Sequence, residues 1–130
     1  MSRLEPMQIC LAPRAIGTYF HAVRAGDTVY VLEQIPLDPV TMEAVDGHIG
    51  QQITQVFVNL RTIAEAAGGS LTDVVKPTVY SVDLAHFWAV NDVMENFFEA
   101  PYPVRAAVGV SQLPKSVGVE IDAILMVGSP

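Results

Sequence analysis

Apolar and polar positions alternate through YFHAVR and TVYVLEQ, between Tyr19 and Gln34, with Ala25-Gly26-Asp27 between the two runs. This predicts two strands joined by a tight hairpin in which Gly26 takes the positive φ. The segment IPLDP, with two prolines and an aspartate, ends the second strand and opens a loop. From about Gly47 to Ala67 the apolar residues Ile49, Ile53, Phe57, Leu60, Ala64 and Ala67 recur at intervals of three and four. They form one face of an amphipathic helix of about five turns, stopped by Gly68-Gly69 at the C′ position. SLTDVV then turns into a strand near Lys76 to Asp83, where Pro77 asks for an edge position or the first residues of the strand. A second helix is expected over about His86 to Phe98, with Phe87, Val90, Met94 and Phe97 on one stripe and Pro101 and Pro103 beyond its end.

The last third holds VRAAVGV and GVEIDAILMV, both rich in β-branched residues and connected by SQLPKS. The predicted order is therefore β β α β α β β in a single domain over residues 1–130, without internal repeat or linker. An α+β layer follows, with two helices packed on one face of a mixed sheet and the other face free. In the final strand one register is Val119, Ile121, Ala123 and Leu125, while the other mixes Ile124 and Met126 with Glu120 and Asp122. A strand that is apolar on both sides of a two-layer domain needs a second cover, and another copy of the chain is the most economical one.

Composition sharpens that expectation. Of 130 residues 51% are hydrophobic and 16% charged, below the ~25% charged of an average soluble protein. A compact monomer of 14.0 kDa would expose roughly 6,700 Å², and this chain has more apolar residues than such a body can hide. The net charge is −7. Its seven cations, Arg3, Arg14, Arg24, Arg61, Lys76, Arg105 and Lys115, are scattered with no two adjacent. That argues against nucleic acid as a partner and against a polybasic membrane anchor. No apolar run approaches a membrane span, and the start MSRLEPMQICLAPR lacks a signal-peptide core, so no membrane partner is expected. Cys10 is the single cysteine, which excludes an internal disulfide and makes a reducing cytoplasm the expected location.

The chemistry-bearing residues are few. His21, His48 and His86 lack metal-ligand spacing and read as surface or cap residues; no metal site or other cofactor is expected. No phosphate-binding glycine loop or nucleophile elbow occurs. Cys10 has no neighbouring cation to lower its pKa and reads as a small apolar residue. Arg105 and Glu120 stand out, because each is an isolated charge inside an apolar strand and must reach solvent, pair, or line a cleft. Alternation puts Arg105 in register with Ala107 and Gly109, which leaves room beside the guanidinium for a ligand. An arginine fork matches a carboxylate, and Glu120 could act as a base toward water. A structural ion pair, or two solvated faces, remains the competing reading of the same two residues.

At these residues the chain resembles the RidA (YjgF) family of enamine/imine deaminases. VRAAVGVSQLPKSVGVEIDAI resembles the family's C-terminal signature of Pro-x-Arg, a hydrophobic strand, Leu-Pro-Lys and a Val-Glu-Ile-Glu-like strand. AIGTYFHAVRAGDTVYV, QIPLDP and SLTDVVKPTVYSVDLAHFWAVNDV are similar to further family segments, so that the resemblance runs from about Pro13 to Val127. It implies a chorismate-mutase-like α+β fold, a homotrimer, and ligand clefts between subunits. It also implies hydrolysis of 2-imino or 2-enamino acids to 2-oxo acids and ammonia, without cofactor. By position, Arg105 would hold the substrate carboxylate, Glu120 would position or activate water as the catalytic residue, and Tyr19 and Asn91 would line the cleft.

Some positions depart from the family pattern. Leu32-Glu33 replaces the usual Ser-Gly, Thr18 and Phe20 stand where Pro and Ser are common, and Ala107 occupies a place often held by cysteine. A hydrolysis that uses water needs no thiol at Ala107. Glu33 is the departure with consequences: inside the cleft it would pair with Arg105 or repel an acid substrate. The alternatives to a deaminase are a family paralogue that binds another small metabolite and, against the charge of −7, a ribonuclease or translation inhibitor.

Overall fold

In the computed structural model, which describes residues 4–9, 11–14 and 20–128, Gly26 at φ +62° turns strand β2 (Ala22–Ala25) into β3 (Thr28–Gln34). An edge strand the sequence pattern misses, β1 (Leu4–Met7), pairs antiparallel with β2 and carries Pro6 where an edge tolerates it. Helix α1 (Ile49–Ala66), strand β4 (Val74–Ser81), helix α2 (Phe87–Phe97), and strands β5 (Ala106–Gly109) and β6 (Val119–Met126) complete the order. Six of the seven expected elements keep their ends to within about two residues, the usual latitude for element boundaries. The first strand is shorter than expected, and in VRAAVGV only Ala106–Gly109 pairs as strand.

The six strands form one mixed sheet in the order β1-β2-β3-β6-β4-β5, with β5 parallel to β4 and every other pair antiparallel. β4 is thus an interior strand. Pro77 fits because β5 joins only from Thr78 onward, which leaves the flank beside Pro77 without a neighbour.

Both helices cover one face of the sheet. Val29 and Val31, Val79, and Val119, Ile121, Ala123 and Leu125 are buried there against Ile53, Val56, Phe57, Leu60 and Ile63 of α1 and Val90, Val93 and Met94 of α2. Phe57 stacks on Phe97 and meets Phe98 edge-on, at centroid separations of 5.5 and 5.6 Å. α1 ends as the sequence predicts: Gly68 sits at φ +91°, its N–H bonds the Glu65 carbonyl, and the Gly69 N–H bonds that of Ala64. Arg24 of β2 donates to the Ala67 carbonyl at 2.7 Å, which places a cation at the negative end of the helix.

The opposite face of the sheet carries no helix. Tyr30 and Met126 are exposed there, with Glu120, Asp122, Ile124, Thr78 and Tyr80 partly covered. The chain exposes 7450 Å², more than the roughly 6,700 Å² of a compact body of its mass. Among the described residues no helix is long and apolar enough to cross a membrane.

Candidate functional site

Glu120 follows from strand alternation. Val119 and Ile121 are buried under the helices, so Glu120 faces the other way, opposite Tyr80 of β4. Glu33 reaches that same face by a different route. Val31 pairs with Ala123 and Gln34 with Ile121, so two residues of β3, Leu32 and Glu33, stand against one of β6, Asp122. Plain alternation from Val31 would bury Glu33 beneath the helices; the bulge turns it outward instead. Glu33 and Glu120 line one cleft of about 460 Å³, together with Pro13, Arg14, His21, Leu32, Gln34, Ile35, Leu37 and Pro114.

Three local devices hold the walls of this cleft. His21, expected at the surface or as a cap, is buried: its Nδ1 accepts from the Ile9 N–H at 3.0 Å and its Nε2 lies 2.6 Å from the Pro13 carbonyl oxygen. With the proton on Nε2 both ring nitrogens are satisfied and the segment before β2 is tied to the sheet. Asn59, buried on α1, donates to the carbonyls of Leu37 at 3.0 Å and Ile35 at 3.4 Å, and its own oxygen accepts from Gln55. The loop after β3 then packs Ile35 and Leu37 on Val117, with Met42, Ala44 and Leu113 around them, which brings Pro114 to the cleft.

The electrostatics of this face are distinctive. Glu120 is pushed up to about 7 from its usual 4.5, by burial first and then by the negative charges of Glu33 and Asp122. Asp122 is raised mainly by burial, although a 3.3 Å hydrogen bond from the Tyr80 hydroxyl works in the opposite direction. Tyr80 is raised by burial and by Asp122. A carboxyl that titrates near neutrality can both accept and return a proton at physiological pH. Among the described residues no group of three or more His, Cys, Asp or Glu side chains could hold a metal ion.

Arg105 lies elsewhere. It precedes β5, and its Nη1 donates to Asn91 Oδ1 of α2 and lies 3.7 Å from Met94 Sδ, so the guanidinium is on the helix side of the sheet. Arg105 and Asn91 line a second cleft of about 490 Å³ with Trp88, Asp92, Met94, Glu95, Tyr102 and Pro103. Trp88 is 78% exposed and Val104, next to Arg105, 71%. Ala107 is exposed on β5 in the register of Arg105.

Of the residues singled out in the sequence, the fold thus brings Arg105 to Asn91 and Glu33 to Glu120. It keeps the two pairs in separate clefts on opposite sides of one sheet. Glu33 does not meet Arg105 within the chain; its neighbours in charge are Glu120, Asp122 and Tyr80. Tyr19, Thr18 and Cys10 lie outside the described residues. Arg14 and His21 line the cleft of Glu120 without having been marked as site residues, because neither carries a motif.

The family model described as endoribonuclease L-PSP matches residues 10–127. The chain belongs to the endoribonuclease L-PSP family, the RidA family. A 2-iminobutanoate/2-iminopropanoate deaminase of Dermatophagoides farinae is 43% identical over 117 residues, covering 90% of this chain and 91% of that protein. The crystal structure of RidA from an Antarctic Psychrobacter superposes with a TM-score of 0.91 at 48% identity, covering 95% of this chain and 99% of the other. E. coli TdcF with bound serine is similar at 37% identity and a TM-score of 0.89, covering 95% and 99%. The RidA fold is therefore that of this chain, as the sequence resemblance leads one to expect, and relatives in the family bear the name of imine deaminases.

Proposed function

We propose that this chain hydrolyses 2-imino and 2-enamino acids to 2-oxo acids and ammonia, in clefts formed where the Arg105 edge of one protomer covers the Glu120 face of the next in a homotrimer. The observation that carries the reading is the separation of Arg105 and Glu120 on opposite sides of one sheet. A three- or four-carbon acid cannot touch both within one chain, whereas a heterologous contact that closes a ring would pair one protomer's arginine with the neighbour's carboxylate. The exposed Trp88, Tyr102 and Val104 around Arg105, and the uncovered face of β6, supply apolar surface for that contact.

In this reading Arg105, oriented by Asn91, takes the substrate carboxylate in a two-pronged bond. The iminium carbon is already electrophilic, so positioning and one proton acceptor suffice. Glu120 as carboxylate accepts a proton from water as the water oxygen bonds to C2. It returns that proton to nitrogen and takes the hydroxyl proton as the C–N bond breaks and the C2 carbonyl forms. Ammonia and the 2-oxo acid leave, and the proton on Glu120 passes to ammonia or solvent. That the similar E. coli TdcF was crystallised with bound serine supports a small amino-acid-like ligand. A ribonuclease reading finds no support in a chain of net charge −7 without clustered cations.

The deciding experiment generates iminopropanoate from alanine with an amino acid oxidase and follows 2-oxo acid formation with wild type, Arg105→Ala and Glu120→Gln. Wild type is expected to accelerate the reaction and both variants to lose that acceleration. Equal rates in all three would reject the assignment.

A further inference from the structure

Glu33 is a carboxylate that the hydrolysis described above does not use. It lines the cleft of Glu120, turned there by the bulge in β3. Among the described residues no cation lies within ion-pair distance of it, although Arg14 lines the same cleft. Leu32, Ile35, Leu37 and Pro114 supply the apolar part of the lining, beside Arg14, His21, Gln34 and Glu120. At about 460 Å³ the cleft is of the size that holds drug-like ligands and larger than a three-carbon acid requires. An apolar wall beside a carboxylate without an ion-pair partner matches an aliphatic stem that ends in a cation.

We propose that Glu33 makes this chain selective for 2-imino acids whose side chain ends in a positive charge, with Glu33 receiving that charge and the apolar walls receiving the stem. The inference rests on the deaminase reading above and names its substrate class. With the neighbouring protomer's Arg105 engaged by the substrate carboxylate, a small neutral imino acid offers Glu33 no partner in the closed cleft, which costs binding; a cationic side chain relieves it.

The test compares imino acids generated in situ by an L-amino acid oxidase from arginine and from citrulline, its uncharged near-isostere. Wild type is expected to show a kcat/KM for the arginine-derived imine higher by roughly tenfold or more, the worth of one charge-assisted contact. Glu33→Gln, which keeps the shape and removes the charge, is expected to erase that preference, and Glu33→Asp to retain part of it. A wild-type preference for the citrulline-derived imine, or an equal preference in wild type and Glu33→Gln, overturns the proposal while leaving the deaminase reading intact. If wild type hydrolyses no imine, the deaminase reading fails, and thermal shift with arginine and citrulline decides on Glu33 alone. A larger rise in Tm with arginine that Glu33→Gln removes supports its role, and equal rises reject it.

Discussion

Glu33 of β3 and Glu120 of β6 face the same cleft, and the charge of the first helps to hold the carboxyl of the second at about 7. Removing the charge with Glu33→Gln is therefore expected to lower the pKa of Glu120 toward the ordinary carboxylate range. In a pH–rate profile for imine hydrolysis, the limb that reports Glu120 should move to lower pH in Glu33→Gln. An unmoved limb would show that another group titrates there.

The same shift fixes a sign for stability. The folded chain holds the Glu120 proton more tightly than the unfolded chain, whose value is near 4.5. The associated stabilisation is complete below about 4.5 and is lost as pH rises through about 7. The Tm of wild type is expected to fall between about pH 5 and pH 8, and less steeply in Glu120→Gln, by differential scanning calorimetry at constant ionic strength.

Mixing chains tests where the cleft is assembled. Arg105→Ala and Glu120→Gln chains, each inactive alone, are expected to regain activity when unfolded together and refolded as mixed trimers. Random mixing leaves about a quarter of the contacts with an intact arginine facing an intact glutamate. No recovery, with mixed trimers verified by native mass spectrometry, would reject a cleft shared by Arg105 and Glu120 of neighbouring protomers. Light scattering should give about three times the 14.0 kDa chain mass at micromolar protein.

Asn59→Ala leaves the Leu37 carbonyl without its donor, while the Ile35 carbonyl keeps the Leu37 N–H at 2.7 Å. A loss of about 1 to 3 kcal/mol in unfolding free energy is expected by urea titration. The amide of Val45, which bonds the Pro36 carbonyl of the same loop, should exchange faster with solvent.

His21→Leu removes an acceptor for the Ile9 N–H and the partner of the Pro13 carbonyl, again at a cost of about 1 to 3 kcal/mol. Faster hydrogen exchange at Ile9 is expected, measured by NMR, while amides in the β3–β6 ladder keep their protection. Loss of protection throughout would mean that His21 supports the whole fold and not one wall of the cleft.

The regular parts of this fold were legible because their signals are periodic. The three-and-four spacing from Ile49 to Ala67 gives α1, Gly68 ends it, and the strict alternation of Val119, Ile121, Ala123 and Leu125 gives β6 with its buried face. β1 was not legible, since Leu4–Met7 is largely exposed, contains a proline and has no alternation to read. The orientation of Glu33 was hidden for a related reason: one extra residue in β3 reverses the facing that counting from Val31 would give. His21 looked like any surface histidine because its partners, the Ile9 amide and the Pro13 carbonyl, are backbone groups that leave no mark in the sequence. Arg105 and Glu120 were recognisable as misplaced charges, but that they face opposite sides of the sheet depends on how β5 and β6 enter it.

The irregularity in β3 has a consequence for the cleft it borders. Two residues there share a single opposing position on β6, so neither is obliged to complement a cross-strand partner in size or charge. The side chains bordering the cleft at Leu32 and Glu33 can therefore vary while Val31–Ala123 and Gln34–Ile121 keep their register. The lining of this cleft can change there while the strand ladder of the chain stays as it is.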